Sequence, residues 1–150
     1  MKSEIPNPYP TPDCFFCGSE NADGLHLAFF WDDERREASC EYVPTRRFAG
    51  QGDILHGAIQ MGLLDEIMGW TSVRETGEMT VTLELNTTFL RPLYISDGLV
   101  GAVCRVVAVE GRTVRLEAEL KDRQGAVCTT AAGVFRALSA ERYNALVMRR

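Results

Sequence analysis

The chain has 150 residues, 45% hydrophobic and 25% charged, a size and balance that suit a soluble globular fold with its own core. Its net charge of −5 excludes the broad basic face of a general nucleic-acid binder. No apolar run reaches the roughly 18 residues of a membrane span, and Met1–Pro6 lacks the apolar core of a signal peptide. No nucleic-acid or membrane partner is therefore expected, and the expected location is cytoplasmic.

Residues 1–24 read as an extended N-terminal arm, because Pro6, Pro8, Pro10 and Pro12 bar a helix and Gly18, Asn21 and Gly24 favour turns. Residues 25–150 read as a single domain. Within the arm, Cys14-Phe-Phe-Cys17 has metal-ligand spacing, but a zinc site wants four ligands. There is no second CxxC pair, and His26 and His56 are the only histidines. The five cysteines (14, 17, 40, 104 and 128) read as free thiols of a reducing compartment, and neither metal nor cofactor is expected.

Leu25–Trp31 is a strand candidate with His26 as an ordinary residue on its face. Asp32–Arg35 forms the turn and Arg36–Val43 the returning strand of a hairpin. Pro44–Asp53 is a loop leading to a long apolar helix from about His56 to about Arg74. Ile59, Leu63, Ile67 and Trp70 form its main stripe, widened by Met61, Leu64 and Met68. Opposite them, Ala58, Gly62, Asp65 and Gly69 share a face. Each interior glycine costs about 1 kcal/mol relative to alanine, so this face implies close approach by a ligand, another backbone or a packed sheet. Two acids, Asp65 and Glu66, interrupt the apolar surface. Burying an unpaired carboxylate is costly, so each needs a reason.

Beyond Gly77 the pattern becomes β. Met79–Leu90 alternates, with Val81, Leu83, Leu85, Thr87 and Phe89 on one face and Thr80, Thr82, Glu84, Asn86 and Thr88 on the other. Leu99–Val109, Arg112–Lys121 and Ala126–Arg136 complete a four-strand antiparallel meander. Ser139 caps a short helix, Ala140–Met148. Strands on both sides of one long helix, without βαβ alternation, predict an α+β hotdog fold: an antiparallel sheet curved around a central helix. Its exposed edges favour pairing into a homodimer, with a dimer of dimers as the larger alternative.

His56-Gly57, with Asp65 nine positions after the histidine, resembles the His-Gly-Gly…Asp signature of hotdog acyl-CoA thioesterases, nearest the phenylacetate-pathway branch. Three further segments share the resemblance, which spans about residues 14–137: Cys14-Phe-Phe-Cys-Gly-Ser-Glu-Asn21 through Leu25, Phe48-Ala-Gly50, and Asn86-Thr-Thr-Phe-Leu-Arg91-Pro92. It implies hydrolysis of an acyl- or aryl-CoA thioester. Ala58 stands where the family has its second glycine, and Gln51 lies where many relatives place an amide that contacts the thioester. Thr82 matches a strand position whose hydroxyl helps hold the attacking water.

Thioester hydrolysis needs a polarised carbonyl oxygen and an activated water or nucleophile. The helix start supplies unpaired N–H groups, with Gly57 the oxyanion donor and His56 positioning the helix or the substrate. Asp65 is the expected nucleophile or general base. Glu66 matches no catalytic position. Asn86 and Arg91 are further substrate contacts, Arg91 for a CoA phosphate. Eight helical steps, about 12 Å, separate Gly57 from Asp65, whereas reacting atoms must approach within roughly 3–3.5 Å. One helix therefore cannot bring both to one carbonyl, and Asp65 must act from a second subunit. A hotdog hydratase or dehydratase and a non-catalytic acyl-CoA-binding protein are the competing readings.

Overall fold

The structure, a computed structural model, describes residues 1–9 and 12–149. In chain order it contains strands β1 (Lys2–Glu4), β2 (Phe30–Asp32) and β3 (Glu37–Tyr42), then helix α1 (Gly57–Thr76). Strands β4 (Thr80–Phe89), β5 (Val100–Glu110), β6 (Thr113–Lys121) and β7 (Val127–Ala137) follow, and helix α2 (Ala140–Val147) ends the order. The strands form one antiparallel sheet in the order β1-β2-β3-β5-β6-β7-β4. This sheet curves around α1, which is the hotdog architecture.

Helix α1 forms because its apolar residues recur at three and four positions and both ends carry stop signals. His56 caps the start with its ring, and Gly77 ends the helix at φ 71°, in the left-handed region that suits glycine. Leu63, Leu64, Ile67, Met68 and Trp70 are buried against the inner face of the sheet. There Ala102 and Cys104 of β5, Leu116 and Leu120 of β6 and Phe135 of β7 complete the core. All five cysteines are free thiols. No helix among the described residues is long and apolar enough to cross a membrane.

Several expectations are corrected. The meander has three strands, β5-β6-β7, and β4 lies beyond it on β7 at the sheet edge. The 90–99 connection carries the chain across to β5, with Leu93 O accepting from Leu55 N at 2.8 Å on the way. The first hairpin is shorter than the apolar run implied, because His26 has φ 50° and the ladder begins only at Phe30. His26 therefore sits in the irregular segment before β2, its Nε2 against Asn21 O, rather than on a strand face. Lys2–Glu4, unmarked by any apolar pattern, adds an edge strand to β2.

The alternation in β4 is interrupted as well. Thr82 pairs with Phe135 and Glu84 with Val134, so Leu83 is the extra residue of a bulge. Thr80 and Thr82 therefore share the inner face with Leu85, Thr87 and Phe89. Asn86 and Thr88 point outward.

Candidate active site

The start of α1 is built so that one backbone donor stays free. His56 N–H donates to Phe48 O at 2.9 Å, and the N–H groups of Ile59 and Gln60 both reach His56 O, at 3.0 and 3.1 Å. Ala58 N–H donates to His56 Nδ1 at 2.9 Å. Among the first N–H groups of the helix, only that of Gly57 has no protein partner among the described residues. Because Nδ1 accepts, a neutral His56 ring carries its proton on Nε2. The exposed methyl of Ala58 leaves this cap intact, since the capping bond uses only its N–H.

Two clefts meet at Gly57. One, of about 490 Å³, is lined by Gly50, Gln51, Ile54, His56 and Gly57. The other, of about 330 Å³, runs past Gly57, Gln60, Phe89, Leu90, Arg91 and Pro92. The fold thus gathers Gln51, His56, Gly57 and Arg91 around one donor. Arg46 is paired with Asp53 at 3.0 Å and Arg47 with Asp23 at 3.8 Å, whereas Arg91 is exposed on the rim of the second cleft. A larger cavity of about 750 Å³ lies between the first hairpin and residues 25–28 and touches none of the predicted site residues.

Gln60 is a residue that the sequence did not single out. It is buried, donates to Leu55 O at 2.8 Å and accepts from Thr129 Oγ1 on β7. A glutamine among apolar helix residues was the available signal. Its role here is to bolt the helix start to the sheet.

Asp65 and Thr82 form a second group. Thr82 Oγ1 donates to Asp65 Oδ1 at 2.7 Å, which fixes the carboxylate against β4 and leaves Oδ2 without a protein donor among the described residues. The Leu83 bulge makes this contact, since it keeps Thr82 on the inner face. Asn86 does not join it, because it lines a groove on the outer face with Arg105 and Glu117.

Glu66, about 100° round the helix from Asp65, faces the N-terminal arm, where its carboxylate takes hydrogen bonds from Cys14 and Trp70. The arm also accounts for the small residues of α1. A Cβ at Gly62 would lie 2.0 Å from Phe16 Cζ, and one at Gly69 would lie 2.8 Å from the Tyr9 hydroxyl. These glycines accommodate aromatic rings of the same chain.

The family model of the Thioesterase superfamily matches residues 52–129. The chain belongs to the Thioesterase superfamily. That match takes in α1 and β4 to β6 and the first residues of β7, and with them His56, Gly57 and Arg91 of the first group, though not Gln51, and the Asp65–Thr82 pair.

Solved structures agree with this membership at the level of the fold. A thioesterase superfamily protein superposes with a TM-score of 0.73 at 21% identity, covering 81% of this chain. This chain spans only 62% of that protein's length. PaaI of E. coli, from the phenylacetic acid degradation operon, gives 0.67 at 17% identity, with 77% of this chain and 81% of that chain covered. A Streptococcus mutans protein bound to acetyl-CoA gives 0.64 at 17%, covering 69% and 82%. A comparison with curated protein sequences finds no match. The phenylacetate-pathway neighbours of this superfamily member are those that its sequence signature resembles.

Proposed function

We infer that this chain hydrolyses the thioester of an acyl- or aryl-CoA at a site completed by a second copy of itself. One observation carries the reading. The free Gly57 N–H and the Asp65–Thr82 pair lie beside opposite ends of the same edge strand. A Cβ on Gly57 would touch Phe89, the last residue of β4, while Asp65 is bonded to Thr82 near its start. Strand β4 is ten residues long, and its exposed apolar side chains include Leu83 and Phe89, 54% and 51% exposed. Such an edge invites pairing. Antiparallel pairing of two β4 strands about a two-fold axis sets the start of one against the end of the other. The partner's Asp65 then faces Gly57, which removes the 12 Å obstacle.

In that arrangement the thioester oxygen takes the Gly57 N–H, assisted by the positive end of the α1 dipole. The partner's Asp65, oriented by the partner's Thr82, activates a water or attacks the carbonyl carbon directly. The C–S bond breaks and CoA leaves as the thiolate, taking the proton that the partner's Asp65 removes from the water. After direct attack, water instead hydrolyses the acyl-aspartate anhydride and frees the acid and the partner's Asp65. Gln51 and His56 Nε2 flank the oxyanion position, and Arg91 on the rim suits a CoA phosphate. The acetyl-CoA held by the S. mutans neighbour supports the choice of CoA esters as the substrate class.

Asp65→Asn and Gly57→Pro test the reading together. Proline at the first helical position removes the proposed donor, the extended ψ of 134° at His56 tolerates it, and its Cβ meets only the end of the Phe89 ring, at 3.3 Å. Against a panel of acyl- and aryl-CoA esters, each variant alone should lose at least roughly 100-fold in kcat, while Asp65→Asn still binds the ester by calorimetry. Co-expressed in equal amounts, the two should recover about a quarter of wild-type activity, since half of random dimers carry one intact site. Undiminished hydrolysis by either variant refutes the assigned role, and a mixture as inactive as its components refutes the shared site.

A further inference from the structure

Glu66 sits mid-helix beside Asp65, yet no cation pairs with it among the described residues. Its neighbours are acidic or neutral. Oε1 accepts from Cys14 Sγ at 3.5 Å and Oε2 from the Trp70 indole N–H at 3.2 Å. Cys17, buried at 5% exposure, stands beside both Cys14 and Glu66. One ligand atom from each of the three side chains lies within 4.8 Å of the other two. Burial, ahead of all else, holds the Glu66 carboxyl above its ordinary range, and burial followed by the Glu66 charge does the same to the Cys17 thiol. The three side chains thus bring two sulfurs and a carboxylate oxygen to one point.

We propose that Cys14, Cys17 and Glu66 form a three-ligand site for a soft divalent cation of the zinc class, which clamps the N-terminal arm to the middle of α1. The donor set fits, since two thiolates and a carboxylate are common zinc ligands. The geometry fits as well. Zinc bonds of about 2.3 Å to sulfur and 2.1 Å to oxygen at tetrahedral angles set S···O near ~3.6 Å and S···S near ~3.8 Å. The observed 3.5 Å between Cys14 Sγ and Glu66 Oε1 already meets the first requirement. The Cys17 sulfur needs to close by no more than about 1 Å to meet the second, starting from within 4.8 Å.

The Trp70 indole holds the other carboxylate oxygen and so orients Glu66 for the metal, as outer partners do in zinc sites. Water takes the fourth position. Cation entry displaces the two thiol protons, so uptake acidifies the medium and tightens with rising pH. Cys14 and Cys17 lie outside residues 52–129, which the superfamily model matches.

Cobalt(II) titration of the fully reduced, metal-free, full-length protein is the test, with elemental analysis of protein loaded with zinc and then dialysed. The wild type should take up a single equivalent per chain, with the thiolate-to-cobalt absorption and intense visible bands of a tetrahedral site, and zinc should displace the cobalt. Cys14→Ser, Cys17→Ser and Glu66→Gln should each weaken uptake at least tenfold, whereas Cys40→Ala should not. Circular dichroism separates lost ligands from lost fold, and the wild-type titration stands without any variant. No uptake by the reduced wild type, or uptake without thiolate absorption, overturns the proposal. Either result leaves the hydrolysis reading untouched, because Asp65 and Gly57 take no part in the clamp.

Discussion

Gly62→Ala turns the contact between the arm and α1 into a measurement. In an exposed helix interior, replacing glycine by alanine gains about 1 kcal/mol. Here the added Cβ would stand 2.0 Å from Phe16 Cζ and 2.7 and 2.8 Å from its two Cε atoms. Carbon contacts settle at roughly 3.5–4 Å, so the ring must retreat by about 1.5–2 Å. Phe16 is half-buried and meets Phe15 edge-on, with centroids 5.1 Å apart. Exposing a fully buried phenylalanine costs roughly 1.5–3 kcal/mol, and losing an aromatic pair about 0.5–1.5 more.

After the helix gain is subtracted, Gly62→Ala should destabilise the chain by about 1–2 kcal/mol, a fall in Tm of roughly 2–8 °C. With Phe16→Ala already in place no ring stands in the way, and the same substitution should stabilise by about 1 kcal/mol. The sign reversal corresponds to a coupling energy of about 2–3 kcal/mol, readable from urea unfolding of the four proteins in the cycle. If Gly62→Ala stabilises equally in both backgrounds, the ring does not occupy the glycine face and the reasoning fails.

Thr82→Val keeps the shape of the side chain and deletes the hydrogen bond to Asp65. It should lower kcat on CoA esters at least about tenfold, whereas Thr82→Ser retains most activity. Equal turnover by the threonine and valine proteins removes any orienting role for the hydroxyl. Gly77→Ala forces a Cβ into the left-handed conformation at φ 71° and should cost about 1 kcal/mol or more by chemical denaturation. Asparagine at the same position should cost less.

How much of this was legible depended on how local the signal was. Helix α1 carried its cap, its period and its terminating glycine within one stretch, so its limits came within about two residues. Strands β5 to β7 were separated by Gly111 and Gly125, both at positive φ, and were equally plain. The order of the sheet was not, because nothing in residues 90–99 says on which side of β7 the preceding strand will lie. The Leu83 bulge was hidden for a related reason. A run that alternates without a break looks regular until a partner strand skips one of its residues. The glycine face of α1 announced a close neighbour without naming it, since Phe16 and Tyr9 lie 46 and 60 positions away from Gly62 and Gly69. Glu66 posed the same difficulty: a CxxC pair shows two ligands, and the third stands 49 residues downstream of Cys17.

Strand β1 is three residues long, bears Lys2 and Glu4, and closes the edge of the sheet opposite β4. A sheet with one long bare edge and one short charged edge has a polarity of growth. Two chains joined through β4 turn only their β1 edges outward, and those edges offer little backbone to a third. In the proposed dimer the joined sheet would therefore stop at two chains. In that dimer, elongation into a fibre, the standing hazard of any open antiparallel edge, would be blocked by Lys2–Glu4.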